Sequence, residues 1–171
     1  IAGNCWIDFT STIFVANVGH SNKRILDAIK KSIDEPLLSC YAYTNSIRAE
    51  YLEKLINFAG EPFQKAFLLS AGTEATEAAF KLMRMQGQKK NKNRLGIVAY
   101  ENNWHGRTLA AQMMSGNVQQ KEWVGYHDKD IHHLSFPYPW ALKGKSGESF
   151  FYEQIKKLEN SGINLKRDLC G

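Results

Sequence analysis

An apolar run that ends in small residues and opens directly into a helical segment restricts this chain more than any other feature. It reads Ala66, Phe67, Leu68, Leu69 and then Ser70-Ala71-Gly72-Thr73-Glu74-Ala75-Thr76-Glu77-Ala78-Ala79. About thirty residues on, Ile97, Val98, Ala99 and Tyr100 lead into Asn103-Trp104-His105-Gly106-Arg107-Thr108. Strand–helix–strand spacing of this kind implies a parallel crossover, or a neighbouring pair in one mixed sheet. Segments of both types alternate along the chain, which argues for an α/β architecture rather than a sandwich or a bundle. In open α/β sheets, ligands bind beyond the carboxyl ends of the strands. Gly72, Thr73 and Trp104 all fall there.

The residue types at those ends have a chemistry. A helix start presents unpaired backbone N–H groups and the positive end of a dipole, which suits a phosphate. Gly72 allows close backbone approach, because a side chain would block an incoming group. Thr73 adds an N–H and a hydroxyl, with Ser70 a weaker candidate. The alternative is that Thr73 only caps the helix and Gly72 only turns the chain. Trp104 is an aromatic among Asn102, Asn103 and His105. It is either a core residue or a flat face for a planar ring, and a strand-end loop is an unusual place for a core tryptophan. A phosphate beside a stacked ring suggests a cofactor.

Around these motifs, residues 6–18 read as strand or extended loop. Ser21 or Asn22 caps a helix to about Asp34, with Ile25, Ile29 and Ile33 on one face, and Pro36 ends it. Asn45 or Ser46 caps the next, closed by Gly60 and Pro62. A strand is expected over 66–70, a helix over 73–87, a strand over 95–100 and a helix over 107–115. Residues 116–147 read as loop, and a last helix lies near 148–160.

At 171 residues and 43% apolar composition, the chain suits one domain with a real core. Cys5, Cys40 and Cys170 are odd in number and widely spaced, which fits reduced thiols in the cytoplasm better than a disulfide framework. The net charge of +5 owes much to Lys89-Lys90-Asn91-Lys92-Asn93-Arg94, read as a solvated loop. No nucleic-acid module is recognisable, so nucleic acid is not expected as a partner. No apolar run is long enough to span a membrane. His127, Asp128, Asp130, His132 and His133 have mixed spacing between Gly125 and Pro137. They read as polar loop residues rather than a metal site, and no metal is expected.

With Ile7-Asp8-Phe9 and Val18-Gly19-His20-Ser21 preceding them, the two strand-end motifs resemble, in order, the first half of a class III aminotransferase. These are pyridoxal 5'-phosphate enzymes of fold type I, the ornithine, acetylornithine and 4-aminobutyrate group. The resemblance implies a mixed, mostly parallel sheet flanked by helices. Residues 1–45 would contribute to a small domain, and 46–171 would form the first half of the large cofactor domain. It implies that Gly72 and Thr73, with Ala71, hold the cofactor phosphate and that Trp104 stacks on the pyridine ring, where relatives more often carry Tyr or Phe.

The same resemblance places Arg107 near the substrate, where it would either clamp a carboxylate or form a structural salt bridge. Tyr41, Tyr43 and Thr44, and likewise Ile13 and Phe14, match segments that line the substrate entrance. His105 is read as a packing or hydrogen-bonding residue rather than an acid–base catalyst.

The family's Schiff-base lysine and its acidic partner for the ring nitrogen match nothing here. The chain therefore reads as an incomplete part of a longer enzyme, with no catalytic lysine of its own. What the resemblance implies for the parent is a homodimeric transaminase. It would move an amino group from an amino acid, an ω-amino acid above all, or from an amine to a 2-keto acid. An aminomutase or racemase on the same fold, or a non-catalytic binding module, are the other readings.

Overall fold

A computed structural model describes residues 3–36 and 42–171, and these fall into two units, 1–66 and 67–171. Tyr41 and Cys40 lie outside the described residues.

In the first unit, the stretch expected as strand or loop contains one tight turn, α1 (Ser11–Phe14). All four of its residues have positive φ, from 47° at Ser11 to 70° at Phe14. The turn is therefore left-handed, a costly conformation for β-branched Thr12 and Ile13. Asp8 anchors its start, accepting from the Thr10 amide at 2.7 Å, the Thr10 hydroxyl at 2.6 Å and the Thr12 amide at 3.2 Å. Those bonds, the Thr10 hydroxyl first, hold its carboxyl below the usual carboxylate range.

Helix α2 (Lys23–Asp34) starts at Asn22, whose side chain accepts from the Arg24 amide at 3.1 Å. Helix α3 (Ser46–Ala59) starts at Asn45 in the same way, with Arg48 as donor at 2.8 Å. Gly60 ends α3 at φ 70°, where an L side chain would be strained. Asparagine is thus the cap in both places, one of the two residues the sequence offers each time. The Ile25, Ile29, Ile33 stripe does lie on one helical face, lining an open groove with Val18 and Ala28.

The second unit departs from expectation at its start. Residues 66–70 are extended but form no strand, and Phe67 is 77% exposed. An apolar run becomes a strand only where a neighbouring ladder accepts its amides. No strand among the described residues lies beside it.

Helix α4 (Gly72–Lys90) runs three residues beyond the expected end, placing Lys89 and Lys90 at the negative end of its dipole. Arg94, read as part of a solvated loop, instead turns inward and donates to the Leu169 carbonyl at 2.5 Å.

Strand β1 (Ile97–Tyr100) pairs in parallel with β2 (Ile131–Leu134), Ile97 opposite Ile131 and Tyr100 opposite Leu134. The region 116–147 therefore holds a strand, and His132 and His133 lie on it rather than in a loop. On the other edge of β1, Gly96 bridges Leu169 in parallel, and Val98 donates to the Gly171 carbonyl at 2.9 Å. β1 is thus the middle strand.

Helix α5 (Leu109–Met114) follows β1, and a 3-10 turn spans Gln119–Val124. A short helix, α6 (Pro139–Leu142), precedes α7 (Gly147–Asn160), which Ser146 caps through the Ser149 amide at 3.1 Å. A final turn, α8 (Leu165–Asp168), leads back to the sheet.

The core is built from Ile97 and Ala99 of β1, Leu134 of β2, Ala110, Ala111, Met113 and Met114 of α5, and Phe150 and Leu158 of α7. Around it, Arg84 of α4 pairs with Asp128 at 2.7 Å and lies over the Phe80 ring at 4.3 Å. Lys121 donates to the Ser115 carbonyl at 2.8 Å and the Met113 carbonyl at 3.3 Å, which ties the 3-10 turn to α5.

Candidate functional site

The residues expected to bind a phosphate and a ring meet at the start of α4. Ala71 is the N-cap, in extended conformation, and a methyl group offers no acceptor. The first intrahelical bond is from Ala75 to the Ala71 carbonyl at 3.0 Å, so the Gly72 and Thr73 amides precede the helical ladder. Nothing lies within 4 Å of where a Gly72 Cβ would stand, so the chain leaves room for a group to approach at Gly72. Glu74 faces back, accepting from the Ser70 amide at 2.9 Å, and that bond lowers its carboxyl pKa. Ser70 is therefore held by Glu74.

The second motif leans on the first. The Thr73 hydroxyl accepts from the Arg107 amide at 3.1 Å, which leaves its own proton free to donate outward. Gly106 passes directly over Thr73 at φ 130°, and a Cβ there would overlap the Thr73 hydroxyl. One turn along α4, Glu77 accepts through Oε1 from the Thr108 hydroxyl at 2.5 Å and from the Ala110 and Ala111 amides at 2.9 and 3.1 Å. Glu77 carried no role in the sequence reading. The signal for it is its place four residues after Thr73, on the same helical face.

Trp104 is 57% exposed, so it is not a core residue. The Arg107 guanidinium lies 4.9 Å from its ring centroid, a cation–π contact. No ion pair to Arg107 occurs among the described residues. His105 is half-buried. Its Nε2 lies 2.6 Å from the Asn103 amide nitrogen, and its backbone N–H donates to the Ser115 hydroxyl at 3.0 Å.

Ala71, Gly72, Thr73, Trp104 and Arg107 all belong to the 67–171 unit, linked through the bonds above. Phe14, Ile13, Tyr43 and Thr44 belong to the 1–66 unit, where all four are exposed. Among the described residues no group of three or more His, Cys, Asp or Glu side chains gathers as a metal site. No helix among them is long and apolar enough to cross a membrane.

Two histidines give the unit a pH dependence. Burial pulls His105 below its ordinary pKa of 6.5. Burial first, and then the charge of Lys121, does the same for His133, whose Nε2 lies 3.1 Å from the Met114 carbonyl. A lowered folded-state pKa means that the unfolded chain takes up protons first as the pH falls. Stability is thus full above pH 6.5 and declines below it, through the lowered folded-state values. Urea unfolding at pH 7.5 and 5.5 should show this loss, and His133→Gln should reduce it. An unchanged difference in that variant would remove His133 from the account.

Comparison with known proteins follows the same outline. The sequence profile described as Aminotransferase class-III matches residues 1–170. A mitochondrial acetylornithine aminotransferase of Saccharomyces cerevisiae is 32% identical over 168 residues, covering 95% of this chain and 38% of that protein. An ornithine aminotransferase of a Geobacillus species is 33% identical over 171 residues, covering 95% of this chain and 42% of that protein. This chain therefore spans about two fifths of the length of these curated relatives.

Among solved structures, an (S)-enantioselective omega-transaminase from Thermomicrobium roseum superposes with TM-score 0.80 at 20% identity, over 95% of this chain and 36% of that one. A taurine:2-oxoglutarate aminotransferase from Bifidobacterium kashiwanohense, solved with pyridoxal phosphate and glutamate, superposes with TM-score 0.76 at 23% identity, over 91% and 35%. At these identities the structural likeness shows the fold alone.

Proposed function

The chain belongs to the class III aminotransferases, and from that premise we propose that it supplies the phosphate cradle and one ring wall of a pyridoxal phosphate site. The protein carrying it is a transaminase that moves an amino group from an amino acid, an ω-amino acid above all, or from an amine to a 2-keto acid. The observation that carries this reading is the pair of amides at Gly72 and Thr73, which precede the helical ladder at an unobstructed glycine beside a loop that Thr73 itself grips.

The donor set fits the cofactor. The Gly72 and Thr73 amides and the Thr73 hydroxyl would hold its phosphate, while Ala71 contributes by having no side chain to compete. Trp104 would flank the planar ring. When bound, the cofactor supplies an electron-withdrawing ring for amino-group transfer. Arg107, solvent-facing and without an acidic partner among the described residues, would orient a substrate carboxylate. Phe14 and Tyr43 would line the substrate entrance, by family position. The working enzyme would be a homodimer in a compartment as reducing as the cytoplasm, where Cys5 and Cys170 remain thiols.

Absorbance titration of the full-length protein with pyridoxal phosphate tests this. A cofactor band should form, shift on addition of an amino donor and return on addition of a 2-keto acid. A racemase or aminomutase would recover its band without the keto acid. In Trp104→Ala the dissociation constant should rise about tenfold, the scale of one lost ring–ring contact plus its buried area. No band in the intact wild-type protein would end the proposal.

A further inference from the structure

We propose that Glu77 is a positioning residue of this site, a clasp that sets the Trp104–Arg107 loop against the phosphate-facing end of α4. The proposal rests on the cofactor reading above and deepens it. Glu77 is half-buried in the first half of α4, and one carboxylate oxygen takes three donors from the segment that follows β1. These are the Thr108 hydroxyl and the Ala110 and Ala111 amides.

The amides in question open α5, whose own N-cap residue, Thr108, makes no capping bond of its own. The first turn of α5 thus receives its acceptor from another helix, more than thirty residues earlier in the chain. A carboxylate suits this place, because it accepts several donors and complements the positive end of α5.

Thr73 lies one turn earlier on the same face of α4 and accepts from the Arg107 amide. Gly106 lies against it with no room for a side chain. The face formed by Thr73 and Glu77 therefore grips the backbone from 106 to 111. Trp104 and Arg107 are carried by that stretch, with the guanidinium over the ring. The open amides of Gly72 and Thr73 end the same helix. One rigid element thus spaces the two halves of the site, and Glu77 acts through Trp104 and Arg107 without touching a ligand.

The test uses the full-length protein with Glu77→Ala and Glu77→Gln. Amide hydrogen exchange at Ala110 and Ala111 is read without cofactor, and the pyridoxal phosphate dissociation constant by absorbance. In Glu77→Ala both exchange and dissociation constant should rise about tenfold, the usual effect of losing a hydrogen bond to a charged group. Glutamine keeps one acceptor oxygen, so Glu77→Gln should raise each about threefold, a partial rescue.

Unaltered exchange in both variants would overturn the clasp. Faster exchange with an unchanged dissociation constant would reduce Glu77 to a fold element and overturn the positioning role. If Glu77→Ala does not fold, Glu77→Gln decides by the same two readouts. A wild-type protein that takes no cofactor would bring down the functional reading, while the clasp is still judged by exchange in the Glu77 variants. Slow exchange at Ala110 and Ala111 would still be seen in that case, which separates the two failures.

Discussion

Replacing Gly106 by alanine is expected to cost about 2–4 kcal/mol and to weaken cofactor binding at least about tenfold, because strain and overlap act at one atom. At φ 130° an L residue is strained whatever the surrounding space. Here there is no space either, since the new methyl would overlap the Thr73 hydroxyl. Relief requires the loop to lift away from α4. Lifting breaks the bond from the Arg107 amide to Thr73 and moves Trp104 relative to the open helix end.

Urea unfolding and cofactor titration of the full-length protein read the two consequences. Gly147→Ala is the matched control, because a Cβ at Gly147 meets nothing within 4 Å and its φ is not positive. It should change stability by less than about 1 kcal/mol. If Gly106→Ala behaves like that control, the close approach to Thr73 is wrong.

Ile97→Ala should be the most damaging core substitution in the second unit, at about 2–5 kcal/mol. Ile97 is 2% exposed and begins the middle strand, opposite Ile131 and beside the Gly96–Leu169 bridge. Neighbours on both edges of β1 hold the backbone in place, so the site cannot collapse to fill the lost volume, and the cavity term is added to the transfer term. The Trp104–Arg107 loop follows shortly after β1 ends, so on the proposed reading cofactor binding should weaken along with stability. A measured loss below about 1 kcal/mol would mean that the core relaxes around the cavity.

Much of this was legible from local signals. Asparagine caps marked α2 and α3, and the small-residue turn at Ser70–Thr73 marked the start of α4, because each depends on chemistry within a few residues. β2 was missed for the opposite reason. Ile131-His132-His133-Leu134 shows neither an apolar run nor clean alternation, and only pairing with β1 makes it a strand. The segment 66–70 failed in the converse way, with strand-like residues and no ladder beside them.

At the site, Gly72, Thr73 and Trp104 stand out from local residue types, a small-residue helix start and an aromatic among polar residues just past β1. Glu77 does not, because its bonds reach residues 31 to 34 places away. Arg94 turns inward for a similar reason, its partner lying 75 residues on.

The position of β1 between partners from two later stretches also bears on how the chain is made. Its amides at Ile97 and Val98 donate to Asp130 and Gly171, so both of its neighbours are synthesised after it. On a ribosome adding about 5–20 residues per second, β1 waits about 4–15 s for the Gly171 carbonyl to emerge. Both edges of β1 are open until β2 is made, and the edge that meets Gly171 stays open after that. An open strand edge invites mispairing, so β1 is exposed to that hazard in the window between synthesis of residues 100 and 171.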